Sequence, residues 1–288
     1  MSMSVYEIIT NKIIESLEKG TVLWQKKWKF SAYKNFISKK EYNGINRLLL
    51  NLSTEENNFS CPFWITFNQA SQLKCQIKKG SKATQVIFWK VIDTKKESDK
   101  EEVDEKNEKK FVLRYYNVFN LEQTDLDKSK WENLAELNDL STVSNAEELI
   151  KNYQDKPEIN VTYTNRACYN FISDTINVPK INQYDKADNY YNTLFHEMIH
   201  STGHSKRLNR DLKGYNEDNE SYSFEELVAE LGSSYLCNDC NLTPDFDNTV
   251  SYISGWLNAL KKDSRMIIFA SAKAEKACNY IKGMKHGW

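Results

Sequence analysis

The sequence predicts an α+β chain in two domains, and three observations carry that prediction. Between residues 83 and 119, two stretches rich in β-branched and aromatic residues flank a polar run and read as the arms of a hairpin. The second half combines helical periodicity with a short alternating segment ahead of it. The 288 residues, 40% apolar and 12% aromatic, suffice for two cores of ordinary size. No apolar run approaches the length of a membrane span, so no membrane partner is expected.

The elements follow in chain order. Tyr6, Ile9, Ile13, Ile14 and Leu17 share one side of a segment interrupted by Glu7, Lys12 and Glu15. That is an amphipathic helix rather than a signal peptide, and a cytoplasmic location follows. Ala83 to Val91 and Phe111 to Phe119 are the hairpin arms. The run from Thr94 to Lys110 mixes Glu, Asp, Lys and Asn without apolar period, which predicts a solvated loop. Residues 1–128 form the first domain, 129–145 a polar junction around Trp131, and 146–288 the second domain. Within the second, Ile159 to Tyr163 alternates as a strand, and Ala167 to Ile172 with Thr175 to Pro179 reads as a hairpin turning at Ser173-Asp174. An edge strand there could pair with an extended peptide.

Charge divides unevenly. Residues 1–128 hold 22 Lys and Arg against 17 Asp and Glu, whereas residues 129–288 hold 17 against 23. The six cysteines (Cys61, Cys75, Cys168, Cys237, Cys240 and Cys278) show no disulfide pattern. Cys237 and Cys240 make a lone C-x-x-C, best read as free thiols at a helix end.

The strongest chemical signal is Phe195-His196-Glu197-Met198-Ile199-His200, a His-Glu-x-x-His sequence. Histidines four apart on a helix project from one face and can reach a single Zn²⁺ or another divalent ion such as Mn²⁺, while Glu197 can act as general base on a water. A catalytic site of this type needs a third protein ligand. The extended motif would require histidine at position 206, which is Lys206, so the ligand is sought downstream. Ser223 to Leu231 offers Glu225, Glu226 and Glu230 on a stretch with helical period. Glu226 is the favoured ligand and Glu225 its competitor, with Glu230 orienting a ligating imidazole. Ser223 with Glu226 also reads as a capping box at a helix start. Tyr222, just ahead of that stretch, is a candidate oxyanion partner. Gly203 predicts that the motif helix stops before His204 and turns it into the following loop.

In the first domain cations interleave with aromatics: Trp24, Trp28, Arg47, Lys78, Lys79, Lys82 and Trp89. Single-stranded nucleic acid is bound by that combination, cations meeting phosphates and rings stacking on bases. Composition alone equally describes core tryptophans beneath solvated lysines, and on composition that plainer reading prevails.

A resemblance changes the balance. Gly20 to Trp24 with Trp28, Tyr42 to Leu50, Trp64 to Ala70, Lys79 to Thr84, Phe88 to Lys90 and Tyr116 to Gln123 resemble the N-terminal domain of ArdC-type antirestriction proteins. His196 to His204 with Arg207-Leu208, Glu225 to Gly232, Ser254 to Leu257 and Ala270 to Tyr280 resemble that family's zincin-like metallopeptidase domain. The resemblance implies a mobile-element protein that joins a single-stranded DNA-binding domain to a zinc metallopeptidase and protects incoming DNA from restriction. The run from Thr94 to Lys110 is longer than the family pattern needs. Two other readings stand beside this one: a DNA-coating protein whose metal site is structural or vestigial, and a peptidase whose basic domain recruits a host protein substrate.

Overall fold

The computed structural model describes residues 3–25, 28–93, 109–132, 142–210, 219–245 and 250–284. Residues 94–108 of the expected loop and 133–141 of the expected junction therefore lie outside the described residues, while Lys109 and Lys110 belong to the second hairpin arm and residues 142–145 to a helix.

The chain opens with α1 (Val5–Glu18), where Ser4 and Glu7 form a reciprocal capping box and Ile9, Ile13, Ile14 and Leu17 are buried. A four-stranded sheet follows, in the order β1 (Lys34–Asn35), β2 (Phe63–Thr66), β4 (Lys109–Asn120) and β3 (Thr84–Asp93). β1 and β2 run parallel, connected through α2 (Ile45–Glu56), and the other pairings are antiparallel. The short α3 (Phe67–Gln72) is started by a Thr66–Gln69 capping box. The long hairpin read from the sequence is β3–β4.

The second half begins with α4 (Thr142–Asn152) and a three-stranded sheet of β5 (Glu158–Thr162), β6 (Cys168–Asn170) and β7 (Thr175–Pro179). β7 is central, parallel to β5 and antiparallel to β6, so β6 is an edge strand. Four helices complete the chain: α5 (Ala187–Ser201), α6 (Asn219–Asp239), α7 (Val250–Lys262) and α8 (Met266–Ile281). Helix and sheet are thus mixed in both halves, as an α+β chain requires.

The two halves share one continuous apolar core. α1 lies on α7 and α8, with Thr10 donating to Ser264 O at 2.5 Å and Lys261 paired with Glu18 at 2.6 Å. Trp24 meets Trp256 with ring centroids 5.0 Å apart, and Trp28 donates its indole N–H to Ser234 of α6 at 3.2 Å. Arg47 of α2 is 5% exposed and pairs with Asp239 of α6 at 2.6 Å. Gly44, at φ 59°, turns the chain into α2 and donates its N–H to Glu275 of α8 at 3.0 Å. Cys61, Phe63, Ile65, Leu121 and Trp131 form a smaller separate core on the far side of the first sheet.

Candidate metal centre

α5 and α6 pack against each other and supply the histidines and carboxylates of the site. Both are held close by Gly232, where a Cβ would come within 2.6 Å of Ile199 Cδ1 and 2.7 Å of its Cγ1. The apolar period of each helix turns Phe195, Met198, Ile199, Leu227, Val228 and Leu231 inward, all fully buried. That leaves His196, His200 and Glu226 on the facing sides, where they converge.

The imidazole Nε2 atoms of His196 and His200 lie 3.1 Å apart. One Glu226 oxygen is 3.4 Å from His196 Nε2 and the other 3.5 Å from His200 Nε2. Among the described residues these three form the one group of donor atoms close enough to share an ion, all within 4.8 Å of one another. A tetrahedral Zn²⁺ with bonds of about 2.0–2.1 Å needs donors about 3.3 Å apart; the imidazoles stand 3.1 Å apart, and each has a different Glu226 oxygen near that distance. Octahedral Mn²⁺, with bonds of about 2.2 Å, needs about 3.1 Å, so the spacing admits either metal.

The surroundings ask for a cation. Burial disfavours the charged form of His196, but Glu226, Glu230 and Glu197 outweigh it and hold the imidazole pKa up to about 9. Glu230 Oε1 sits 3.8 Å from His196 Nδ1 on the side away from the donor cluster. Burial, reinforced by Glu226, raises the Glu230 pKa. Glu197, next in the chain to His196, is 9% exposed and contributes to holding the His196 pKa up.

Glu225 does not join the donors. It faces His200 from behind, 3.3 Å from Nδ1, and receives Arg210 through Nε at 3.1 Å and Nη2 at 2.5 Å. Burial raises the Glu225 pKa, but His200 and Arg210 prevail and hold it below the usual range. Arg210 also donates to Ile199 O at 2.9 Å and to Thr202, which ties the loop after α5 to the end of the helix. This Arg210–Glu225–His200 chain of contacts was not legible in the sequence, since no helical or strand spacing links residues 15 positions apart. Arg207 does similar work one turn earlier, donating to Ser201 O and to the Asp174 carboxylate beside Tyr169.

Other expected site residues are placed as follows. α6 begins at Asn219, four residues before Ser223, so Ser223 lies inside the helix and cannot cap its start. Tyr222 is likewise in the helix and not ahead of it, and its side chain lies outside the described residues. α5 ends at Ser201, and His204 sits in the next turn, accepting from Lys206 N at 3.2 Å with its ring 5.2 Å from that of Phe171.

The nucleic-acid candidates separate into two groups. Trp24, Trp28 and Arg47 are 1%, 8% and 5% exposed in the core between the halves, where no base or phosphate reaches them. Their cation–aromatic pattern is that of an interior contact: Arg47 lies 5.5 Å from the Trp28 ring and 4.8 Å from that of Tyr235. The expectation that these three contact DNA is therefore corrected. Lys78, Lys79 and Lys82 are exposed, and Trp89 is 41% exposed with its ring 6.0 Å from Phe269.

A His-Glu-x-x-His helix whose third donor comes from a carboxylate on the next helix defines a zincin-like domain. Residues 144–273 match the family model of zincin-like metallopeptidases, and residues 3–119 match that of the N-terminal domain of the anti-restriction factor ArdC. The crystal structure of the antirestriction ArdC protein from the R388 plasmid in its Mn(II)-bound form is similar with a TM-score of 0.80 and 33% identity, over 98% of each chain. Its metal-free form gives 0.77 and 32%, over 99% of this chain and 100% of that one. This chain belongs to the ArdC antirestriction family. It is also 30% identical over 300 aligned positions to the DNA primase TraC of Escherichia coli, covering 96% of this chain and 27% of the primase. The chain thus spans about a quarter of the length of that relative. No helix among the described residues is long and apolar enough to cross a membrane.

Proposed function

We propose that the protein is a divalent-metal-dependent peptide hydrolase joined to a single-stranded DNA-binding half, acting in the cytoplasm to protect incoming mobile-element DNA from restriction. The observation that supports it best is the convergence of His196, His200 and Glu226 donors at 3.1–3.5 Å, with Glu197 beside them. A divalent ion held by those three residues supplies Lewis acidity toward a peptide carbonyl and lowers the pKa of a nearby water. The remaining chemistry belongs to the chain. Glu197 accepts the proton of the attacking water and passes it to the departing amine. Glu225, fixed by Arg210, holds the His200 ring so that Nε2 faces the site. Glu230 does the same for His196. The free edge of β6 offers main-chain groups to an extended substrate. The family resemblance supports single-stranded DNA as partner of residues 1–128, and the Mn(II) form of the R388 protein supports Mn²⁺ alongside Zn²⁺ as the ion.

The deciding experiment pairs metal content with peptide cleavage. His196→Ala and His200→Ala should lose the metal, whereas Glu197→Gln should keep it and lose cleavage of an unstructured protein substrate. No cleavage by the metal-loaded wild type would remove the hydrolase reading, cleavage by Glu197→Gln at the wild-type rate would remove Glu197 as general base, and absence of metal from that variant would reverse the assigned roles.

A further inference from the structure

One face of the β3–β4 hairpin carries aromatics, and cations that hold no ion pair among the described residues. The antiparallel register sets Val86 opposite Tyr116, Phe88 opposite Arg114 and Lys90 opposite Val112. Residues directly opposite in such a ladder project to the same side, so Tyr116, Phe88, Arg114 and Lys90 share one face. The rings of Tyr116 and Phe88 are stacked, 4.0 Å apart and 9° from parallel. Tyr116 is 54% exposed, and Arg114 and Lys90 are exposed as well. Among the described residues, no ion pair holds Arg114 or Lys90. Val86 on that face is buried at 4% exposure, and the other face is anchored by its apolar residues while its Trp89 and Tyr115 stay 41% and 42% exposed. Ile87 and Leu113 are buried at 7% exposure, and the Asn46 side chain bonds both Ile87 N and Ile87 O at 2.8 Å.

We infer that this face is where single-stranded DNA lies, its bases stacking on Tyr116 and Phe88 and its phosphates meeting Arg114 and Lys90. The inference rests on the reading that residues 1–128 bind single-stranded DNA, and it adds the place. Two rings already stacked on an anchored strand lose little freedom when a base extends the stack. Cations one and two rungs along supply attraction for the backbone without reading sequence. Bases inside a duplex are covered on both faces and cannot use such a platform, so the preference for single strands follows from the geometry. The surface also replaces the buried Trp24, Trp28 and Arg47 with residues that solvent reaches.

The test uses the full chain and a fluorescein-labelled oligothymidine of about 20 nucleotides, longer than the roughly 4–16 that one such surface covers, followed by anisotropy. Tyr116→Ala should weaken binding about tenfold, while Tyr116→Phe, which keeps the ring, should bind as the wild type does. Replacing Arg114 and Lys90 together by Gln should flatten the slope of log affinity against log salt by about 1.4, two cations at about 0.7 each. That pair is exposed and provides the readout should Tyr116→Ala fold poorly. Wild-type binding with both Tyr116→Ala and the double Gln variant unaffected would overturn this surface and leave the single-strand reading standing. No binding by the wild type at low salt would overturn both.

Discussion

The approach of α5 to α6 at Gly232 makes one substitution unusually informative. In Gly232→Ala the new methyl would sit 2.6 Å and 2.7 Å from Ile199 Cδ1 and Cγ1, where carbon atoms settle at about 3.5–4.0 Å. Ile199 is fully buried and lies on the motif helix next to His200, so it has nowhere to turn. Relief requires the helices to part by about 1 Å, at an overpacking cost of about 1–3 kcal/mol. The same displacement carries Glu226 away from two histidines whose donors now stand 3.4 and 3.5 Å from it. Metal affinity should therefore fall together with stability. The assay is a double-mutant cycle with Ile199→Ala, read by urea unfolding and by Mn²⁺ titration. Ile199→Ala alone should cost about 2–5 kcal/mol through the cavity it leaves. In the double variant the added methyl enters that cavity, so the combined cost should be smaller than the sum by more than about 1 kcal/mol. Additivity within about 0.5 kcal/mol, or unchanged Mn²⁺ affinity in Gly232→Ala, would refute the reasoning.

Three further expectations come from the charged groups. Glu225→Gln should weaken metal binding about 10–100-fold by freeing His200 from its Arg210-fixed partner, whereas Glu226→Gln should abolish it; the reverse order in a metal titration would make Glu225 the ligand. Arg47→Met leaves Asp239 and Glu275 without their buried cation and should cost about 3 kcal/mol in urea unfolding, with oligonucleotide affinity of the folded protein unchanged. For Asp239, burial raises the pKa but Arg47 and Lys282 outweigh it and hold it below the usual value. A carboxylate depressed in the folded state contributes stability that is complete above its unfolded pKa of about 3.9 and drains away as pH falls through the folded value. Asp239→Asn should accordingly flatten the loss of stability below about pH 4, and an unchanged acid profile would count against the pair.

What could be read from the sequence follows the range of the interactions concerned. His196 and His200 were legible because their relation is local: four residues on a helix fix it. The β3–β4 arms were legible because β-branched and aromatic residues mark strands wherever they pair. The choice between Glu225 and Glu226 needed the rotation of α6 about its axis, and that depends on Gly232 against Ile199, a contact between helices. Trp24, Trp28 and Arg47 misled for the same reason. A cation near tryptophans looks alike on a surface and in a core, and what buries these three are Ser234, Tyr235 and Asp239, about two hundred residues further along. Tyr116 and Arg114 went unnoticed as a surface since only the pairing register shows that they share a face with Phe88 and Lys90.

The bond from Thr10 to Ser264, with Glu18 held by Lys261, joins the first helix to segments 254 and 243 residues further along. On a ribosome, α1 leaves the exit tunnel long before α7 and α8 exist, and its apolar side of Ile9, Ile13 and Leu17 must wait for part of its cover. Such nascent chains are the natural clients of chaperones that bind exposed apolar helices, and closure across so many residues slows folding. Release of a ribosome-stalled chain lacking α7 and α8 should yield a protease-sensitive N-terminus, and a chain that includes them a resistant one. The cover of α1 is thus complete only once α7 and α8 have been made, so the two ends of this span settle together or not at all.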